Sequence, residues 1–155
     1  MGDSFMTQAI ELALENVASG RGGPFAAVVV KDGRSIATGT NRVTSLNDPT
    51  AHAEIIAIRA ACAALGSFQL EGCDLYATCE PCPMCLGAIY WARPRRVYFA
   101  ASAQDAAAAG FDDRLIYDEL ARPLASRKIA FVPLMRAEAL ACFEAWKNTA
   151  DRVNY

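Results

Sequence analysis

The chain has 155 residues, six cysteines, one histidine, 54% hydrophobic residues and a formal charge of −2. This composition excludes a largely disordered chain, because disordered proteins combine low hydrophobicity with high net charge. The balance of 15 basic and 17 acidic residues argues against a protein that binds nucleic acid by phosphate contacts, since such proteins usually carry a clear positive excess. The length predicts a single domain over residues 1–155 that folds without disulfides.

The chain shows no sign of membrane insertion or export. Its apolar stretches fall far short of the roughly 20 residues that a membrane-spanning helix needs. The first residues, M-G-D-S-F-M, lack the basic flank and the apolar core of a signal peptide, so we expect a cytoplasmic protein. Thiols stay reduced in the cytoplasm, and closely spaced cysteines there suggest metal or redox chemistry more than disulfides.

The first half of the chain predicts a helix, a strand hairpin and a second helix. Apolar residues recur at helical spacing before Gly20, and Asp32-Gly33 is typical of a tight hairpin turn between two strands. The predicted elements are a helix from Asp3 or Ser4 to Gly20, strands at Phe25–Val30 and Ser35–Asn41, a polar loop at Arg42–Thr50 and a helix at Ala51–Leu65.

The second half continues the alternation of strands and helices. Its predicted elements are a strand at Asp74–Thr78, a helix at Met84–Ala92, a strand at Arg96–Ala101, two short helical pieces within Ala103–Leu120, a strand at Ile129–Leu134 and a helix at Glu138–Thr149. Helices between strands favour parallel pairing with right-handed crossovers, whereas the first two strands form an antiparallel hairpin. The sequence therefore predicts an α/β protein, with a mixed five-stranded sheet in a three-layer α/β/α arrangement.

Two short motifs carry the residues of greatest chemical interest. His52-Ala53-Glu54 and Cys82-Pro83-Met84-Cys85 both follow predicted strands, at the starts of predicted helices. One imidazole and two thiolates are ligands that favour Zn²⁺, and three protein ligands leave a fourth position for a reactive water. Glu54 can serve as the base for that water. This requires that His52 and Glu54 both lie in the first turn of the helix, with the metal beyond the helix N-terminus.

Two other interpretations of these cysteines remain open at this point. Cys79 precedes Cys82 by three residues and could close a structural site with four protein ligands, in a protein that has no enzymatic activity. Cys82 and Cys85 could instead form a redox pair in a thiol protein. The single histidine and the placement of both motifs at helix starts favour the open zinc site.

The chain resembles known deaminases over nearly its full length. The zinc motifs H-A-E and P-C-P-M-C are similar to the signature of the zinc-dependent deaminases of the cytidine deaminase-like superfamily. The flanking sequences resemble the short bacterial guanine deaminases more specifically. They are G-G-P-F-A-A-V-V-V, N-D-P-T-A-H-A-E, C-E-P-C-P-M-C-L-G-A-I-Y-W-A-R-P and A-G-F-D-D.

The resemblance implies hydrolysis of guanine to xanthine and ammonia. It makes His52, Cys82 and Cys85 the zinc ligands and Glu54 the proton carrier. The substrate contacts that it implies are Asn41, Asp113, Phe25, Trp91 and Ala53. It also implies a homodimer in which the C-terminal segment, about residues 135–155, is swapped, so that Tyr155 closes the site of the other subunit. The alternatives within the same superfamily are deaminases that act on adenosine in tRNA or on a pyrimidine.

Overall fold

A computed structural model describes residues 2–155, which divide into two compact units, residues 2–113 and 114–155. The helices of the first unit are α1 (Gly2–Ala18), α2 (Val43–Leu46), α3 (Ala53–Leu65), α4 (Pro83–Ala92) and α5 (Ala103–Ala108). Its strands are β1 (Ala26–Lys31), β2 (Arg34–Thr40), β3 (Asp74–Cys79) and β4 (Arg96–Ala101). The second unit contains α6 (Arg114–Ala121), a 3₁₀ turn (Leu124–Ser126) and α7 (Arg136–Lys147).

The four strands form one mixed sheet in the order β2-β1-β3-β4. Strand β1 is antiparallel to both β2 and β3, whereas β3 and β4 are parallel. The hairpin between β1 and β2 turns at Asp32 and Gly33, whose φ angles of 49° and 72° suit the tight turn predicted from this dipeptide. Helix α3 then carries the chain across β1 to β3, which confirms the expected α/β fold with a mixed sheet.

The sheet is covered by helices on both faces. On one face, α1 packs through Ala9 against Val28 and Tyr76. On the other face, helices α3 and α4 contribute Ala57 and Ile89 to a larger apolar cluster. Strand β1 is therefore buried on both sides, which explains why its sequence is continuously apolar rather than alternating.

The predicted fifth strand at Ile129–Leu134 is wrong, because the sheet has four strands among the residues described. This segment is irregular, and the side chains of Ile129, Val132 and Leu134 are 75%, 79% and 82% exposed. Its composition suits a strand, but a strand is stabilised by hydrogen bonds and side-chain contacts with a neighbour. Propensity alone therefore predicted an element that has no pairing partner here.

The second unit has no buried core. From Arg114 to Tyr155 every residue is exposed except Glu119 and Arg127, which are half-buried. Local bonds hold its turn: the Lys128 amide donates to the Glu119 carboxylate at 2.7 Å, and the Arg127 guanidinium lies over the Phe131 ring, 5.2 Å from its centroid. No helix within residues 2–155 is long and apolar enough to cross a membrane.

Strand β2 and helix α3 approach each other without an intervening side chain. A Cβ atom at Gly39 would overlap the carbonyl oxygen of Ala53 and the backbone nitrogen of Ala57. This strand ends immediately before Asn41, and this helix begins with the His52-Ala53-Glu54 motif. The close approach thus sets the position of the motif relative to the end of β2.

Candidate active site

Both chemical motifs lie at helix N-termini, as the sequence predicts. His52 is the N-cap of α3, and Cys82 is the N-cap of α4, where Pro83 occupies the first helical position. Proline suits this position because its missing N–H would have no partner in the first turn. Cys85 follows in the first turn of α4, so its sulfur lies on the same side as that of Cys82.

The three predicted ligand atoms converge on one point. The Nδ1 atom of His52 lies 3.5 Å from the Sγ atom of Cys82 and 3.6 Å from that of Cys85. Tetrahedral angles, with Zn–N near 2.05 Å and Zn–S near 2.3 Å, separate nitrogen and sulfur by about 3.6 Å. All three ligand atoms lie within 4.8 Å of one another, so the donor set fits Zn²⁺ in both chemistry and spacing.

The sulfurs of Cys82 and Cys85 share a hydrogen bond, which favours the negatively charged thiolate form of Cys82. A hydrogen bond from Cys85 lowers the pKa of Cys82 to about 4, with a further contribution from His52. The same hydrogen bond raises the pKa of Cys85. A hydrogen bond between His52 and Cys82 raises the pKa of His52. The pair therefore carries a thiolate at neutral pH, and thiolate is the form that binds metals.

Glu54 is a buried carboxyl group beside the ligand atoms. It is only 8% exposed, in the first turn of α3, and its carboxyl contacts the thiol of Cys85. Burial raises its pKa above the usual value, with a smaller contribution from the charge of Cys82. His52 and Glu54 thus meet the geometric condition stated from the sequence, since both lie at the start of the helix. A buried carboxyl with a raised pKa is suited to accept and return a proton near neutral pH.

The structure does not bring Cys79 into the group of ligands. The clustered side chains are those of His52, Cys82 and Cys85, whereas the Sγ atom of Cys79 lies 3.6 Å from the carbonyl oxygen of Ser102. This buried thiol therefore has a backbone partner of its own. The arrangement favours a site with three protein ligands over the closed structural site.

Phe25 and Asn41 adjoin each other at the ends of the first two strands. Asn41 is 8% exposed, and its backbone N–H donates to the carbonyl of Phe25 at 3.0 Å. Phe25 is half-buried, and its ring meets the ring of Phe111 edge to face, with centroids 4.9 Å apart. Sequence reasoning missed Phe111, although it stands inside the quoted A-G-F-D-D motif. Its aromatic character beside two acidic residues was the available signal.

Asp113 lies near the charged residues of the cysteine motif. Burial raises its pKa, and the nearby charges of Cys82, Asp112 and Glu80 add to this shift. Of the two acidic neighbours, Asp113 is half-buried and Asp112 is exposed. The charge of Cys82 therefore acts on Asp113, and which of Asp112 and Asp113 contacts a base stays a prediction.

The remaining predicted substrate residues lie in different settings. Ala53 is fully buried at the first position of α3, where a backbone N–H has no helical partner and can serve a ligand. Trp91 is 63% exposed, six residues beyond Cys85 on α4 and therefore about 9 Å further along the helix axis. Tyr155 is 72% exposed in the second unit. The roles of these residues stay predictions.

A cavity of about 360 Å³ lies at the opposite end of the sheet, where β3 and β4 begin. Asp74 there is 7% exposed and receives two hydrogen bonds from Arg95, at 2.7 and 3.0 Å. Arg96 lies 3.5 Å from the same carboxylate. The pairing with Arg95 lowers the pKa of Asp74. The charged groups of this cavity thus neutralise one another, which is typical of a structural ion pair.

Comparisons with known proteins agree with this geometry. The profile of the cytidine and deoxycytidylate deaminase zinc-binding region matches residues 2–101. The guanine deaminase of Bacillus subtilis is 56% identical over 153 residues, which cover 99% of this chain and 98% of the relative. The tRNA-specific adenosine deaminase of Agrobacterium fabrum is 59% identical, but over only 50% of this chain and 51% of its own.

Solved structures show the same relationship. The crystal structure of the Bacillus subtilis guanine deaminase has a TM-score of 0.96 and 56% identity, covering 99% of this chain and 98% of that one. A structure of the guanine deaminase from Nitrosomonas europaea has a TM-score of 0.70 and 40% identity, covering 73% of this chain and 65% of that one. The likeness to the first of these structures therefore extends over both units.

Proposed function

Because this chain belongs to the cytidine and deoxycytidylate deaminase zinc-binding family, we propose that it is a zinc-dependent guanine deaminase, which hydrolyses guanine to xanthine and ammonia. The observation that carries the proposal is the likeness to guanine deaminases along the whole chain. The likeness to the Agrobacterium tRNA deaminase covers only half of it. Because the zinc-dependent deaminases share one zinc motif, the likeness outside this motif is what favours guanine as the substrate.

The metal ligands in this proposal are His52, Cys82 and Cys85. Their spacing and their chemistry suit Zn²⁺, as described above. When bound, Zn²⁺ supplies the Lewis acid that makes water nucleophilic near neutral pH. The helix N-termini at both ligand segments add partial positive charge, which stabilises the thiolates.

Glu54 is the proton carrier. Its carboxylate takes a proton from the attacking water and passes it to the ring nitrogen beside the carbon that bears the amino group. The water oxygen bonds to that carbon. Glu54 then takes the remaining proton from this oxygen and passes it to the amino group. The bond between the carbon and the amino nitrogen breaks, and ammonia leaves as the carbonyl group of xanthine forms. Burial of Glu54 keeps its pKa high enough for the carboxyl to act alternately as base and acid.

Recognition of the base falls to residues at the start of β1, after the end of β2, at the start of α3 and after α5. Asn41 and Asp113 hydrogen-bond the purine, the backbone N–H of Ala53 contributes a further donor, and Phe25 packs on the ring face. The half-buried position of Phe25 and the burial of Asn41 support these roles. Trp91 borders the pocket in the same proposal.

The protein acts as a homodimer in which a C-terminal segment, about residues 135–155, is exchanged between subunits. Its support is the second unit, which exposes many large apolar side chains, among them Val132, Leu134, Phe143 and Tyr155. Burial of such side chains against a second subunit would remove a large apolar area from water. In the exchanged dimer Tyr155 closes the site of the partner, which excludes bulk water from the proton transfers.

A cytoplasmic location completes the proposal. Its support is the set of six free cysteines, two of which must remain reduced to bind zinc.

Ammonia release from different substrates tests the proposed activity. Purified protein with one zinc per chain is assayed with guanine, cytosine and tRNA that contains the target adenosine. We expect turnover of guanine, with a kcat/KM at least about 100-fold above that for the other two substrates. Comparable or preferential turnover of cytosine or of the tRNA would assign the chain to another branch of the family.

Mixed dimers test the exchange of the tail. A Glu54→Gln subunit with an intact tail is refolded together with a subunit that has Glu54 but lacks Tyr155. If the tail acts in the partner's site, random mixing restores about a quarter of the wild-type sites, since half of the dimers are mixed and each gains one complete site. If the tail acts in its own subunit, mixing restores no activity.

A further inference from the structure

We propose that Asn16 is a positioning residue for base recognition: its amide holds Asn41 and the loop of residues 22–25 in the arrangement that the purine requires. The inference rests on the proposed function, because it assumes that Asn41 and Phe25 contact the base. A hydrogen-bond network that links α1, this loop and the end of β2 carries it.

Asn16 is a polar side chain on an apolar face. It is completely buried and follows Ala9 and Ala13 on the side of α1 that faces the sheet. An amide is costly to bury unless its hydrogen-bonding groups find partners. The Nδ2 group of Asn16 donates two hydrogen bonds of 2.9 Å, one to the carbonyl of Gly23 and one to the carbonyl of Asn41.

These bonds complete a clamp around Asn41. The backbone carbonyl of Asn41 is held by Asn16, and its backbone N–H donates to Phe25 at 3.0 Å. The Oδ1 atom of its side chain accepts from the amides of Gly23 and Val43, at 3.3 Å each. Because the side-chain amide is planar, holding Oδ1 in this way also fixes the direction of Nδ2. Nδ2 is the group left to donate to a base.

The same residue holds the loop that leads to Phe25. The carbonyl of Gly23 accepts from Asn16 and also from the N–H of Phe25, at 2.9 Å each. The loop lies so close to Asn41 that a Cβ at Gly22 would overlap the carbonyl oxygen of Asn41. Asn16 therefore sets the two substrate-contacting residues relative to each other without touching the substrate.

The cost of this arrangement argues against a purely structural role. The Oδ1 atom of Asn16 is buried and has no hydrogen-bond partner within the described part of the chain. An apolar side chain here would remove this unsatisfied acceptor, but it would also remove the donor to the Asn41 carbonyl that fixes the position of Asn41. Local compromises of this kind concentrate where function requires a particular geometry.

Steady-state kinetics of Asn16→Ala test the inference. We expect the KM for guanine to rise about tenfold while kcat stays within about threefold, with one zinc per chain retained. In a double-mutant cycle with Asn41→Ala, the two substitutions should be strongly non-additive, because Asn16 acts through Asn41. Unchanged kinetics in Asn16→Ala, or additive effects in the cycle, would overturn the positioning role.

Two further variants separate positioning from stability. Ala13→Gly lies on the same buried helix face and should lower Tm, yet its KM should stay within about twofold of wild type. Asn16→Asp keeps the shape, and a carboxyl buried between two carbonyls remains protonated and donates one hydrogen bond. Its KM should lie between those of wild type and Asn16→Ala, so this variant carries the test if the alanine variant does not fold. A normal KM in Asn16→Asp with only a lower Tm would make Asn16 structural.

If the wild-type protein does not turn over guanine, the proposed function itself is refuted. Wild-type turnover combined with insensitivity to Asn16 would refute only the positioning role.

Discussion

The two units differ in how far they bury their apolar side chains. Residues 2–113 bury a core on both faces of a sheet, and they bring the three candidate metal ligands and Glu54 together at helix starts. Residues 114–155 contain no buried residue, although large apolar side chains are frequent among them. A segment that orders without a core of its own needs another surface to cover it, since burial of apolar area is the main source of stability.

The contrast suggests a division of labour between the units. In the proposed function, the first unit contains the groups that bind metal and transfer protons, and the second unit provides the contacts between subunits in the dimer. Substitutions of Glu54 and of the candidate metal ligands in the first unit should therefore alter chemistry without changing assembly. Substitutions on the apolar side chains of the second should alter assembly and, through it, activity.

The largest expected effect comes from Glu54→Gln. The amide preserves the shape but cannot carry a proton, so kcat should fall by about 10³-fold or more. Zinc content and dimer mass should stay at wild-type values, because the variant leaves the donors and the second unit unchanged. Glu71→Gln, at an exposed carboxyl, is the matched control and should retain full activity. Turnover of Glu54→Gln within tenfold of wild type would contradict the assigned role.

A double substitution in α7 tests the role of the second unit in the proposed dimer. Leu140 and Phe143 are 40% and 62% exposed and lie one helical turn apart. Replacing both by aspartate should place charges in the dimer contact, shift the protein to monomers and lower kcat/KM more than about tenfold. Light scattering and metal analysis should show loss of mass with zinc retained. The exposed, charged Lys147 provides a control as Lys147→Ala. A stable, fully active dimer in the double variant would count against the exchanged segment.

A smaller effect is expected at the far end of the sheet. Replacing Asp74 by asparagine removes the ion pair with Arg95, which is half exposed, and should lower Tm by about 2–4 °C with kcat/KM unchanged within twofold. The pKa of Asp74 is lowered in the folded protein, so its stabilisation is present above the ordinary aspartate pKa and is lost as pH falls through the lowered value. Denaturation at several pH values should show the difference between variant and wild type shrinking in acid.

The smallest effect is expected from Cys79→Ser. The hydroxyl can still donate to the carbonyl of Ser102, and Cys79 lies outside the ligand group. Zinc content should stay at one per chain, and activity should stay within about twofold of wild type. Loss of the metal in this variant would instead indicate a fourth protein ligand and would revive the closed structural site.

Local signals in the sequence were sufficient to predict much of the fold and the cluster of candidate metal ligands. The Asp32-Gly33 turn and the continuously apolar β1 were predicted because each depends on neighbouring residues alone. The ligand positions were predicted because Cys82 and Cys85 share one helical turn and His52 is the single histidine.

Features that depend on distant parts of the chain were not predictable in this way. The apolar Ile129–Leu134 has the composition of a strand, but pairing depends on an edge supplied elsewhere. Asn16 was hidden in a helix recognised by its apolar spacing, and its partner Asn41 is 25 residues away. Phe25 and Phe111, whose rings are in contact, are far apart in the sequence of the first unit. The proposed contacts of Asp113, Trp91 and Tyr155 came from resemblance rather than from local pattern.

The near-contact of two backbones at Gly39 has a consequence for how this protein can change. Position 39 should tolerate only glycine in a saturation mutagenesis screen, because any larger residue would push helix α3, which carries Glu54, away from strand β2. Substitutions that change substrate preference must then occur in the loops around this contact, while Gly39 itself stays unchanged.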